Sequence, residues 1–97
     1  MKLEKLFNEY KGSEQGKQEI ASLVIDSRRA SEGSLFFAVK GLEADGHAYI
    51  PMAIEKGAVA IVCSDKQEER EGIAYIYRDD VIGEIGRCSS AFYGNPG

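Results

Sequence analysis

Apolar residues first recur along this chain at Leu3, Leu6, Phe7 and Tyr10, the i, i+3, i+4, i+7 spacing of one helix face. A polar, glycine-bearing stretch, KGSEQGKQE (11–19), reads as a loop. IASLVI (20–25) is rich in branched residues and predicts a strand, closed by the polar triplet DSR. SEGS turns the chain, and LFFAV (35–39) predicts a second strand. That run is apolar at every position, so it belongs at the centre of a sheet, covered on both faces.

After GLEADGH (41–47) the pattern returns to helical spacing, with Ile50, Ala53, Ile54 and Gly57 in register over 48–57. Pro51 suits the first turn and Gly57 the stop. AVAIVC (58–63) predicts the third strand, and the short links around the helix predict a parallel crossover from 35–39 to 58–63. SDKQEEREG (64–72) is a solvated loop and IAYIY (73–77) a fourth strand. Asp79 or Asp80 is placed to cap a last helix with the stripe Val81, Ile85, Cys88 and Phe92. Gly83 and Gly86 each weaken that helix by about 1 kcal/mol relative to Ala, so packing must hold it. The predicted fold is α/β, in the order α-β-β-α-β-β-α: a small mixed sheet with helices packed on its faces.

Length adds little to this picture beyond its size. Ninety-seven residues suit a single domain, 1–97, with a thin core. A 43% apolar and 29% charged composition supports a soluble globular fold. The net charge of -4 argues against a nucleic-acid surface, which needs clustered Lys and Arg. No apolar run is long enough to span a membrane, and MKLEKLFNEY has no secretory h-region, so a cytoplasmic protein is expected. Cys63 and Cys88 are far apart in sequence and lack nearby histidines, which predicts two buried, reduced thiols rather than a metal site.

Three stretches carry candidate chemistry. GSEQGKQ (12–18) has the look of a phosphate-binding loop, but its glycines are one residue too close, Gln18 replaces the hydroxyl residue, and no strand leads into it. Asp45 with His47 offers half of an acid–base pair or metal site; the simpler reading is a turn at Asp45 and Gly46, with His47 leading into the helix. DSR is likewise open to a plain turn. However, DSR follows the first strand and GLEADGH the second, so both loops meet at one edge if those strands run parallel. Ligands of open α/β sheets bind at that edge. Ser27 supplies a hydroxyl, Arg28 a forked cation, and the loop its backbone groups, a set suited to a nucleoside diphosphate. A nucleophile with its base, and a metal cage, are missing from it. The residues describe a binder, with no catalytic residue and no metal ligand assigned.

The run DSRRASEGSLFFAVKGLEADGHAYIPMAIEKGAVAIV resembles the amino-terminal domain of the Mur ligases, which add amino acids to the UDP-linked peptide precursor of bacterial cell wall. The resemblance rests on Asp26, Ser27, Arg28, Gly33, Leu35, Phe36, Ala38, Gly41, Asp45, Gly46, His47, Ile50, Ala53, Ile54, Gly57 and Ala58 at the family's spacing. It extends to AFYGNP near the end. Within the family the chain is most similar to the type that adds the third residue, a UDP-N-acetylmuramoyl-L-alanyl-D-glutamate ligase. The alternatives are the sister ligase that adds D-alanyl-D-alanine, or a free-standing regulatory domain of the same fold.

The resemblance implies that the chain holds the UDP moiety of the muramoyl-peptide substrate through Ile25, Ser27, Leu42, Glu43 and Ala44. Gly41, Asp45, Gly46 and His47 would shape the loop. It implies ATP and Mg2+ for the full-length enzyme but no cofactor in this chain, whose ATP-binding and amino-acid-binding domains would lie beyond Gly97. Alone, the chain is expected to be inactive. A monomer, without nucleic-acid or membrane partners, is expected.

Overall fold

The all-apolar run at 35–39 does lie at the centre. The computed structural model describes residues 1–40 and 45–93. In it four strands form one sheet in the order β1 (Ser22–Val24), β2 (Ser34–Phe37), β3 (Ala60–Cys63), β4 (Ala74–Tyr77). Every neighbouring pair is parallel, with Leu23 opposite Leu35, Phe36 opposite Ile61 and Val62 opposite Ile76. The α/β class and the element order stand as expected. The sheet expected to be mixed is parallel through all four strands, and among the described residues the antiparallel contacts are two isolated bridges, Lys2 to Glu19 and Lys40 to Asp45.

Strand alternation sorts the core into two layers. Leu35, Phe37, Ala60, Val62, Ala74 and Ile76 pack with α1 (Leu3–Leu6) and α3 (Val81–Phe92). Phe36, Ile61, Cys63 and Tyr75 pack on the other side with Ile50 and Ala53 of α2 (Ile50–Glu55). β2 and β3 are buried at every position, as strands covered on both faces must be. Asp80, rather than Asp79, caps α3, its Oδ1 accepting from the Gly83 N–H at 2.8 Å. The two cysteines are free and buried in opposite layers, and burial pushes the Cys63 thiol up to about 11.

The first helix is shorter than its apolar stripe. It ends after Leu6 and continues as a 3-10 turn, Asn8–Tyr10, which carries the Tyr10 hydroxyl to the Tyr75 carbonyl at 2.9 Å. The Phe7 ring lies beneath two guanidiniums, Arg78 at 5.5 Å and Arg87 at 4.9 Å from its centre. Gly57 ends α2 with φ 116°, and its carbonyl accepts from the Gly33 N–H at 2.9 Å. Any Cβ there would stand 2.6 Å from Glu32 Cα, so the amino edge of the sheet closes tightly on glycine. Among the described residues no helix is long and apolar enough to cross a membrane.

Candidate functional site

Because β1 and β2 are parallel, the segments that follow them leave the same edge of the sheet. Past β1 the carboxylate of Asp26 caps a 3-10 turn, Ser27–Arg29, accepting from the Arg28 N–H at 2.9 Å. It also holds the Arg28 guanidinium in a fork, with Nε 3.1 Å from Oδ1 and Nη2 2.9 Å from Oδ2. The side-chain bonds to Arg28, then the backbone bond, hold the Asp26 carboxyl down at about 2. Ser27 points the other way and is buried. Among the described residues its hydroxyl donates to the Met52 thioether, at 3.5 Å, a weak acceptor.

Between this turn, the end of β2 and the start of α2 lies a cleft of about 520 Å³. Ile25, Phe36, Val39, Tyr49 and Met52 wall it, and Asp26, Ser27 and Arg28 bring the polar groups. Ile25, Tyr49 and Met52 are 56%, 43% and 40% exposed. They are half of the large apolar side chains left exposed among the described residues. Apolar walls with a few convergent polar groups are the usual make-up of a small-molecule site.

The second loop is described only at its two ends. Gly41, Leu42, Glu43 and Ala44 lie outside the described residues, while the Lys40–Asp45 bridge joins the flanks. Asp45 caps the 3-10 turn Gly46–Tyr49, its Oδ1 accepting from the His47 N–H at 2.9 Å and lying 2.6 Å from His47 Nδ1. The opposite ring nitrogen, Nε2, accepts from the backbone N–H groups of Ser64 at 3.0 Å and Asp65 at 3.2 Å. That pattern fixes the tautomer: Nδ1 carries the proton. The backbone and then the side chain of His47 pull the Asp45 carboxyl below its ordinary value.

Asp45, His47 and Asp65 are close enough for a cation, but their atoms are already committed. Both ring nitrogens of His47 have partners, and the Lys40 ammonium sits 2.9 Å from Asp65. The trio is a strap tying the loop to the end of β3. Gly46 completes the frame. It has ordinary φ, so a left-handed backbone is not what requires glycine; closeness is. Its N–H donates to the Val39 carbonyl at 2.8 Å, and a Cβ would stand 2.7 Å from Val39 N.

The glycine–lysine stretch at 12–18 closes on its own helix. The Gly16 N–H donates to Ser13 Oγ at 3.0 Å, and a Cβ on Gly16 would lie 2.0 Å from the Tyr10 carbonyl oxygen. Other amides of this stretch are likewise turned onto the chain, Ser13 donating to Tyr10, Lys17 to Glu14 and Gln18 to Gln15 carbonyls. Sequence reasoning brought Ile25, Ser27 and Arg28 to the cleft but missed Tyr49 and Met52. The signal was there: both are apolar and three apart, off the buried stripe of Ile50 and Ala53.

A family model described as "Mur ligase family, catalytic domain" matches residues 19–89. The chain belongs to the Mur ligase family. Among this Mur ligase chain's relatives, a UDP-N-acetylmuramoyl-L-alanyl-D-glutamate–2,6-diaminopimelate ligase of Bacteroides thetaiotaomicron is 51% identical over 79 residues. That match covers 80% of the chain and 16% of the relative. The ligase of the same name from Geobacter metallireducens is 41% identical over 99 residues, 99% of the chain and 19% of the relative. Among solved structures, MurF from Acinetobacter baumannii superposes with a TM-score of 0.73 at 22% identity, over 93% of the chain and 20% of that protein. MurF from Thermotoga maritima, in complex with ADP, gives 0.65 at 27% identity, over 80% of the chain and 17% of that protein. The fold is thus a Mur ligase fold. The chain spans about a fifth or less of the length of the relatives it matches.

Proposed function

We propose that this chain is the domain of a longer Mur ligase that holds the UDP end of a UDP-linked muramoyl peptide, the substrate being UDP-N-acetylmuramoyl-L-alanyl-D-glutamate. The observation that carries the reading is the cleft between the DSR turn and the DGH turn. Ile25, Tyr49 and Met52 offer apolar area for a pyrimidine and its ribose, and Ser27 offers a hydroxyl whose present partner is weak. Arg28 keeps Nη1 without a partner among the described residues, and is available to a diphosphate. Leu42, Glu43 and Ala44, between the strapped ends of the second loop, are assigned to the same ligand through backbone groups. The names of relatives at 41–51% identity favour this substrate over that of the D-alanyl-D-alanine-adding type.

On this reading the chain binds and orients, and the ligase chemistry belongs to the rest of the protein. ATP, Mg2+ and the incoming amino acid would all engage other domains, in a cytoplasmic enzyme of peptidoglycan synthesis. The chain alone should turn over nothing. UDP has about 25 non-hydrogen atoms, which at about 0.3 kcal/mol per atom caps the affinity near micromolar. Without the domains that close over the ligand, a dissociation constant of order 0.1–10 mM is expected.

Chemical-shift titrations of the labelled chain with UDP and, separately, ADP test the assignment. UDP should move Ser27, Tyr49, Met52 and 41–47, and Ser27→Ala should weaken binding by about 1 kcal/mol. Equal responses to both nucleotides, or a silent cleft while another surface responds, would overturn it.

A further inference from the structure

The exposed side of α3 differs from an ordinary solvent face. The helix buries Val81 and Cys88. On the opposite side Ile82, Gly86, Ser90 and Tyr93 fall within one outward quadrant at 100° per residue, and all four are exposed. Ile82 and Tyr93, at the two ends of that strip, are each 66% exposed. No charged side chain stands among them. Arg87, at the margin, turns its guanidinium back over the Phe7 ring at 4.9 Å and onto Glu84 at 2.9 Å. The outer end of α2, by contrast, carries Glu55 and Lys56 in the ordinary way.

Gly86 sharpens the contrast. The other glycine of the helix, Gly83, lies under the Asp80 cap, where a Cβ would meet Oδ2 at 2.3 Å. A Cβ at Gly86 would meet nothing within 4 Å, and its φ is ordinary. Glycine in an exposed helix interior weakens the helix, and nothing inside the described chain requires it here. What it provides is a bare backbone facing outward, which lets another element come close.

What comes close is indicated by the relatives. They carry about four-fifths of their length outside the span matched here, and Tyr93, the last described residue, belongs to this same strip. We infer that the Ile82–Gly86–Ser90–Tyr93 face docks another domain of the same polypeptide. Ile82 and Tyr93 are its apolar anchors, and Gly86 is the point of closest approach. This rests on the reading that the chain is one domain of a longer ligase.

Thiol labelling separates the two ideas, since Cys63 and Cys88 are buried and leave a low background. Ser90→Cys should react at least tenfold more slowly in the longer protein than in the 97-residue chain. Glu55→Cys on α2 should react alike in both. Gly86→Arg should leave the melting temperature of the 97-residue chain unchanged or higher, yet remove the protection of Ser90→Cys in the longer protein. Equal labelling of Ser90→Cys in the two proteins, or protection that survives Gly86→Arg, overturns the inference while the parent reading stands. Protection that appears in the 97-residue chain as its concentration rises would assign the face to a second copy and overturn it too. A reading frame that stops at Gly97 removes the parent reading itself.

Discussion

Gly46→Ala adds one methyl group at a point where backbone meets backbone. The new Cβ would stand 2.7 Å from Val39 N, 2.9 Å from Val39 O and 3.2 Å from Ala38 C. The closest contact is about 0.7 Å short of ordinary van der Waals distance. None of the three atoms belongs to a side chain that could rotate away, so the loop must lift off the end of β2. Overpacking of this kind costs about 1–3 kcal/mol. Lifting also stretches the 2.8 Å bond from the Gly46 N–H to the Val39 carbonyl, worth about 0.5–1.5 kcal/mol. A net loss of about 2–3 kcal/mol follows, or about 10–20 °C in melting temperature for a domain of this size. Gly86→Ala is the matched control, since its Cβ enters open space and should raise stability by up to about 1 kcal/mol. Thermal unfolding followed by circular dichroism reads both variants. A Gly46→Ala chain that melts within about 3 °C of the parent would show that close approach does not explain this glycine.

Two further outcomes follow from the ionisable groups. Asp26 is held at about 2 against an ordinary 3.8, so its stabilising contribution is fully present above the ordinary value and is lost as pH falls through 2. An NMR titration of its carboxyl carbon should give a midpoint near 2 that returns toward 3.8 in Arg28→Ala; a parent midpoint already near 3.8 would mean the fork does not form in solution. Burial raises both thiols, Cys63 to about 11, so at pH near 8 a thiol reagent should label neither cysteine until urea unfolds the chain. Rapid labelling of the native protein would contradict the two-layer core.

The strands were legible in the sequence because a sheet covered on both faces writes itself as continuous apolar runs. Their ends were not, because apolar residues continue past the pairing. Ile20 is buried outside β1, and Ile25 turns out into the cleft. The direction of β1 against β2 was open for a related reason. A parallel link usually needs a dozen residues or a helix, and here a single 3-10 turn, Ser27–Arg29, makes the crossing. DSR and DGH stood out as polar triplets at strand ends, and each became a capped turn beside the cleft. The stretch 11–19 read only as a loop, yet Gly16 is buried against the backbone of Tyr10, a close fit that composition cannot show.

Each strand of this sheet pairs with the one next in sequence, which has a consequence for the order of assembly. As the chain leaves the ribosome, β2 can add to β1, then β3 and β4, without waiting for a distant partner. The amino-terminal helix follows that order only in part: the Leu3 N–H bonds the Gln18 carbonyl and the Ile20 N–H the Met1 carbonyl, but its packing partners lie far along the chain. Leu3, Leu6 and Phe7 share a layer with Val81 and Cys88, Tyr10 bonds to Tyr75, and Glu9 pairs with Arg78. Those contacts span 65 residues or more, so the packing of the helix onto the sheet, unlike its bonds to residues 18–20, closes the longest loops among the described residues and should form at the end of folding. Leu6→Ala would then speed unfolding and leave the folding rate nearly unchanged, whereas Val62→Ala, in the middle of the ladder, would slow folding itself.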